Sequence, residues 1–145
     1  MIKPLTILCL LGSFSSALWA AEPVSPQPAT PLTYENPAYH KVVPAQAREM
    51  MRKGVVVIDV RMPVERLKEG FIKGSVNVPL PYLKPGAVLS AQPDLNQPVL
   101  VHCRSGVRAE AASKILIETG YKHVYNMYGT LQWPFGLLNA PQSKQ

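Results

Sequence analysis

Apolar and polar positions divide most of the chain into short alternating segments. Val55-Val-Val-Ile-Asp-Val60 is β-branched almost throughout. Such a run suits a central parallel strand buried on both faces. Pro98-Val-Leu-Val101 predicts another buried strand, and residues 123–127 predict the last. Val76 and Val78 alternate with Ser75 and Asn77, which predicts a further strand, and residues 39–42 fit a short edge strand. Helix-like segments lie between them. Pro44 occupies a first helical position, Ala47, Met50 and Met51 form an apolar stripe, and Gly54 closes the segment, although Val43 is a poor N-cap. Residues 63–69 read as a short helix stopped by Gly70. Residues 107–119 form the clearest helix, with Ala111, Ala112, Ile115 and Leu116 on its predicted apolar face and Glu110, Lys114 and Glu118 on the other. Prolines 79, 81 and 85 make that region irregular, and residues 129–138 suggest a closing turn and short helix. Strands alternating with helices predict an α/β fold, a small and mostly parallel central sheet with helices on both faces.

The first twenty residues do not belong to this pattern. Lys3 precedes an uncharged apolar stretch over residues 5–18, the layout of a secretory signal peptide. The stretch is short for a membrane span, which needs roughly twenty residues. An uncleaved anchor is the alternative. Cleavage after Ala17 puts small Ser15 at the minus-three position, whereas cleavage after Ala20 puts Leu18 there. The expected location is periplasmic or secreted, with no stable membrane insertion after cleavage. Residues 21–37 hold prolines 23, 26, 28, 31 and 37 among polar residues and read as an extended linker. The domain is expected over residues 38–140, with a tail at 141–145.

Composition then narrows the chemistry. A chain of 145 residues holds one ordinary domain. It carries 15 basic and 9 acidic side chains, and loss of Lys3 with the leader takes the net charge from +6 to +5. Neither that balance nor any aromatic-basic pattern implies nucleic acid. Cysteines 9 and 103 cannot build a disulfide scaffold or a structural zinc site, and His40, His102 and His123 show no ligand spacing. No metal or cofactor is expected. Cys9 departs with the leader, which leaves Cys103 as a single thiol in an oxidising compartment.

The segment His102-Cys-Arg-Ser-Gly-Val-Arg108 joins a buried strand directly to a helix. Ligands of open α/β sheets sit at the carboxyl ends of strands. A tight loop there turns backbone N–H groups toward one centre, and the helix dipole adds to their attraction for an anion. Gly106 permits the required backbone. Cys103 would be the nucleophile, exposed to the helix N-terminus, Arg104 and Arg108. An inert buried cysteine is the alternative. Four residues separate Cys103 from Arg108. Cysteine phosphatases use a similar cradle with five, so this smaller ring fits a tetrahedral phosphate poorly and the outer sulfur of a persulfide better.

These segments together resemble a single-domain rhodanese of the thiosulfate sulfurtransferase type, in an exported form. Ile58-Asp-Val-Arg61, Glu65, Gly70-Phe-Ile-Lys-Gly74, Val78-Pro79, the 99–108 segment, Gly129 and Trp133 carry the likeness over residues 39–138. The resemblance implies a rhodanese-like fold and sulfur transfer through a persulfide on Cys103. The donor would be a small anion such as thiosulfate, and the acceptor a thiol or cyanide. Arg104, Ser105, Gly106, Val107 and Arg108 would bind the substrate, and Asp59, Arg61 and Glu65 would support the loop. Two loop arginines, at the second and sixth positions, look closer to the thiosulfate type than to the mercaptopyruvate type. Phe71 and Tyr128 depart from the family's usual His and Gly, and neither is expected to touch the loop.

Other residues have plainer readings. Asp59 and Arg61 read as an ion pair or loop anchor. His102 should point away from the cradle because side chains alternate along a strand. Glu65 either bonds the loop or starts the short helix, the second being preferred. Trp133 and Phe135 either wall the pocket or belong to the core. The loop thiol is expected near the surface, contributing little to packing, and the protein to be a monomer. A cradle-type cysteine phosphatase or arsenate reductase, a non-catalytic binding module and a sulfur carrier are the rival functions.

Overall fold

The computed structural model describes residues 32–140. The leader with Cys9, most of the linker and the tail lie outside the described residues. Five strands form one parallel sheet in the order β1-β5-β4-β2-β3. They are β1 (Tyr39–Lys41), β2 (Val56–Asp59), β3 (Val76–Asn77), β4 (Val99–Cys103) and β5 (Val124–Gly129), and the helices are α1 (Pro44–Arg52), α2 (Pro63–Glu69) and α3 (Val107–Thr119). The β-branched runs become the central strands because both their faces are covered. Every residue of β4 is buried. On one face Ile58, Val99, Val101 and Cys103 pack with Ala109, Ala112 and Leu116 of α3. On the other, Val57 and Leu100 pack with Ala47 of α1, Ile72 and Met127.

Three local expectations change. The buried stripe of α3 is Ala109, Ala112, Ser113 and Leu116, one step round from the predicted face. Ser113 is tolerated there because its hydroxyl donates to the Ala109 carbonyl at 2.7 Å. Glu110 does not face solvent: its carboxylate accepts from the Tyr34 N–H at 3.2 Å. Residues 129–138 form no short helix; after β5 they run as turns that end in a bridge between Leu138 and Phe71. Their backbone is drawn instead into bonds with neighbouring segments. Residues 32–37, read as linker, lie against β1, with the Lys41 ammonium donating to the Leu32 carbonyl and the Tyr34 ring 5.0 Å from that of Tyr39.

The register between β4 and β5 positions the site. Val101 pairs with Asn126, but Cys103 pairs with Gly129, so β5 carries one extra residue there. A bulge of this kind bends the strand and re-aims the residues beyond it. Tyr128 lies in it with φ 65°, a left-handed conformation that costs a non-glycine residue about 1–2 kcal/mol. Its N–H donates to the Asn126 side-chain oxygen at 2.8 Å, which helps hold it.

Candidate active site

Cys103 is the last residue of β4, so its Sγ emerges at the carboxyl end of the central strand. It is 1% exposed. The expectation of a surface thiol is therefore corrected: Sγ sits beneath the loop, against Ala109 and the α3 side of the core. The Gly106 N–H donates to Sγ at 3.0 Å. Gly106 takes φ 108°, and a Cβ there would come within 3.2 Å of Leu32 and Tyr128. The dihedral calls for glycine, and a Cβ would in addition crowd both neighbours.

The loop's carbonyls show why its N–H groups turn inward. The Cys103 carbonyl accepts from Thr130 N–H at 3.1 Å, and that of Arg104 from Leu131 N–H at 3.0 Å. The Gly106 carbonyl accepts from the Asn126 amide at 3.0 Å and from Glu110 N–H at 2.9 Å. In a planar trans peptide the following N–H points the opposite way. Outward carbonyls at 103, 104 and 106 thus direct the N–H groups of Arg104, Ser105 and Val107 into the loop. With Gly106 N–H and the start of α3, they form a concave set of donors suited to an anion on or beside Sγ.

Charges around the loop divide into two groups. Arg108 is held by Glu65 through two parallel bonds of 2.7 Å. Glu65 also accepts from Met62 N–H at 2.9 Å, so it starts α2 and anchors the loop together. The preferred reading of Glu65 as a helix starter alone is corrected. The Arg108 guanidinium beside it holds its carboxyl down at about 2, and the pairing raises Arg108 in turn. A depressed carboxylate contributes stability above its ordinary value of 4.5 that is lost as pH falls through about 2. Glu65→Gln is therefore expected to lower stability by about 1 kcal/mol at neutral pH. The difference from wild type should shrink between pH 4.5 and 2, measured by denaturant titration across that range.

Arg104 is the exposed cation, with its side chain 55% exposed and Nε 3.4 Å from Glu69. Behind it lies a buried cluster. Arg61 and Asp59 are both 0% exposed and joined by bonds of 3.1 and 2.9 Å. Arg61 also donates to the Gly70 carbonyl, and Arg66 donates to Asp59 and Ser75 at 2.9 Å. Burial alone would raise Asp59, but the bonds and charge of Arg61, together with the nearby His102, offset this and hold its carboxyl below the ordinary value. His102 faces this cluster, opposite Cys103 across the strand, with Nε2 3.6 Å from Asp59. Burial lowers its pKa, which favours neutral imidazole. Its other nitrogen lies 3.1 Å from the Cys103 carbonyl. Asp59, Arg61 and His102 support the strand end beneath the loop rather than reaching Sγ.

Several supporting residues were missed in the sequence. Asn126 is fully buried and bonds both the Gly106 carbonyl and the Tyr39 hydroxyl. An asparagine between apolar neighbours in a buried strand was the available signal. Tyr128 does touch the loop, which corrects the expectation that it would not: its Cα and ring lie where a Gly106 side chain would go. Glu69, Thr130 and Leu131 carried no local signal. Trp133 and Phe135 do not wall the cradle. Their rings pack edge to face, 4.9 Å apart, and Trp133 belongs to the opposite core.

A buried thiol ringed by a six-residue loop, at the end of a central parallel strand, defines an α/β protein of cysteine-loop architecture. Residues 43–133 match the rhodanese-like domain family, and the chain belongs to it. It is 40% identical over 72 residues to the thiosulfate sulfurtransferase PspE of Escherichia coli, covering 50% of this chain and 67% of that one. It is 31% identical over 91 residues to the thiosulfate sulfurtransferase GlpE of Stutzerimonas stutzeri, covering 63% and 80%. A rhodanese-related protein from Thermoplasma volcanium aligns with TM-score 0.56 at 25% identity, over 70% of this chain and 99% of that one. The chain is a sulfurtransferase. Among the described residues, no helix is long and apolar enough to cross a membrane.

Proposed function

We propose that the protein moves a sulfane sulfur from thiosulfate to a thiol or cyanide through a persulfide on Cys103, in the periplasm or outside the cell. The observation that carries this reading is the loop itself, with Gly106 N–H on Sγ and its carbonyls bonded outward. The Cys103 thiolate attacks the outer sulfur of thiosulfate, the sulfur–sulfur bond breaks, and sulfite leaves with the bonding pair. The acceptor then attacks the outer sulfur of the persulfide and regenerates the thiolate. Two displacements through a covalent intermediate give ping-pong kinetics. The N–H groups of the loop stabilise the persulfide anion as it forms, because they are oriented before the reaction begins.

The two arginines then have separate tasks. Arg108 keeps the loop tied to α2, and much of its charge is offset by Glu65. Arg104, more exposed and held to Glu69 by a single longer contact of 3.4 Å, attracts the dianionic donor. Arg104→Ala is expected to raise KM for thiosulfate about tenfold, change kcat little and flatten the dependence on ionic strength. Steady-state kinetics at two salt concentrations checks this. Mass spectrometry after thiosulfate treatment tests the reading as a whole. Gain of one sulfur atom, mapped to Cys103 and removed by cyanide, is expected. Turnover without a modified Cys103 would overturn it. The leader predicts an exported product, which fractionation of expressing cells and N-terminal sequencing would show as a chain beginning after residue 17 or 20.

A further inference from the structure

A groove of about 520 Å3 opens on the face of the sheet opposite the Cys103 thiol. Ligand sites span about 300–1,000 Å3, so it is large enough for a small organic molecule. Val57 and Ile72, nearly fully buried, form its floor, and the Trp133 and Phe135 rings form one wall. Arg48 and Lys73 also line it, and both are exposed. The Arg48 guanidinium lies over the Phe135 ring, 4.3 Å from its centroid. Such stacking covers one face of the guanidinium and leaves its planar N–H edge free for an anion. Among the described residues, no carboxylate lies within 4.0 Å of Arg48 or Lys73, and no acidic residue lines the groove. Arg52 is a third cation here, engaged by Glu49 at 3.8 Å.

An apolar floor, an aromatic wall and exposed cations without carboxylate partners select a particular kind of molecule. An uncharged apolar ligand would leave the cations unused, and a small inorganic anion would leave the apolar floor uncovered. We infer that the groove binds a small amphipathic anion, an apolar or aromatic body bearing one carboxylate, sulfonate or sulfate. The body covers Val57, Ile72 and the two rings, and the head pairs with Arg48 and Lys73. The site is independent of the cradle, because Cys103 and the groove face different cores of the same sheet.

The test uses the full chain and two dyes that share an aromatic body. 8-Anilinonaphthalene-1-sulfonate carries the anionic head, and N-phenyl-1-naphthylamine lacks it. The sulfonate is expected to bind at one saturable site and to shift the Trp133 indole N–H resonance, assigned with Trp133→Phe. The neutral dye should bind at least about tenfold more weakly. Arg48→Glu with Lys73→Glu should remove that preference, with far-UV circular dichroism and the thermal midpoint showing that the variant folds. Equal binding of both dyes, sulfonate binding unchanged by the double substitution, or no shift at Trp133 would overturn the inference. Binding that emerges only after removal of residues 141–145 would assign the groove to the chain's own tail and overturn it as well.

Discussion

Cys103→Ser is expected to reduce sulfur transfer by more than about 10³-fold while the protein remains folded. An alkoxide is far less available than a thiolate, and an oxygen cannot form the sulfur–sulfur bond of the intermediate. The buried position makes serine the better test than alanine. Cys103 is 1% exposed and contacts the α3 core, so removing the sulfur outright would also leave a small cavity. Serine nearly fills the space, and its oxygen can accept the Gly106 N–H that now reaches Sγ at 3.0 Å. Its stability should stay within about 1–2 kcal/mol of wild type. Assay of thiosulfate turnover beside a denaturant titration separates the two effects. Transfer that survives in a folded Cys103→Ser protein would remove the thiol from the mechanism.

Gly129→Ala is the second large effect, expected chiefly in stability. A Cβ on Gly129 would lie inside the Arg104 backbone and against the Cys103 carbonyl. Both are main-chain atoms, and no side-chain rotation relieves the overlap. The neighbouring backbone is also pinned, by Thr130 on the Cys103 carbonyl and Leu131 on that of Arg104. Overpacking ordinarily costs about 1–3 kcal/mol, and backbone on both sides puts this case at or above the upper end. A fall in the melting midpoint of more than about 10 °C is expected, with lower kcat in whatever remains folded, because the loop must move to admit the methyl. Gly54→Ala is the comparison: a Cβ there meets nothing within 4 Å, although the residue's φ of 89° adds its own strain. A Gly129→Ala protein as stable and active as wild type would show that β5 and the loop are less tightly coupled than their contacts require.

Much of the fold was legible because each central strand is covered on both sides. Burial on both faces demands an almost unbroken apolar run, and residues 55–60 and 98–101 have one. Helix limits were legible where a backbone rule acts locally. Pro44 and Pro63 open α1 and α2, and Gly120 closes α3. Residues 129–138 were misread because their conformation is set by partners far along the chain: Cys103, Arg104 and Phe71 take their backbone bonds. The apolar face of α3 was placed one step off because Ser113 is satisfied within its own helix, so polarity did not report exposure there.

The candidate site shows the same division. The segment from Cys103 to Arg108 was readable because loop, glycine and nucleophile are contiguous, and backbone donors need no distant residue to exist. What supports the loop is not contiguous. Glu65 reaches Arg108 from 43 positions away, and Asn126 reaches Gly106 from 20. Sequence alone therefore determined the class of sheet, the ends of its helices and the chemistry of one thiol in an anion-binding turn. Tertiary structure decided how deep that thiol lies, which loop arginine is clamped by a carboxylate and which stays more exposed, and that Tyr128 borders the loop. Those outcomes depend on which strands lie side by side and in what register, and pairing between distant segments leaves little local trace.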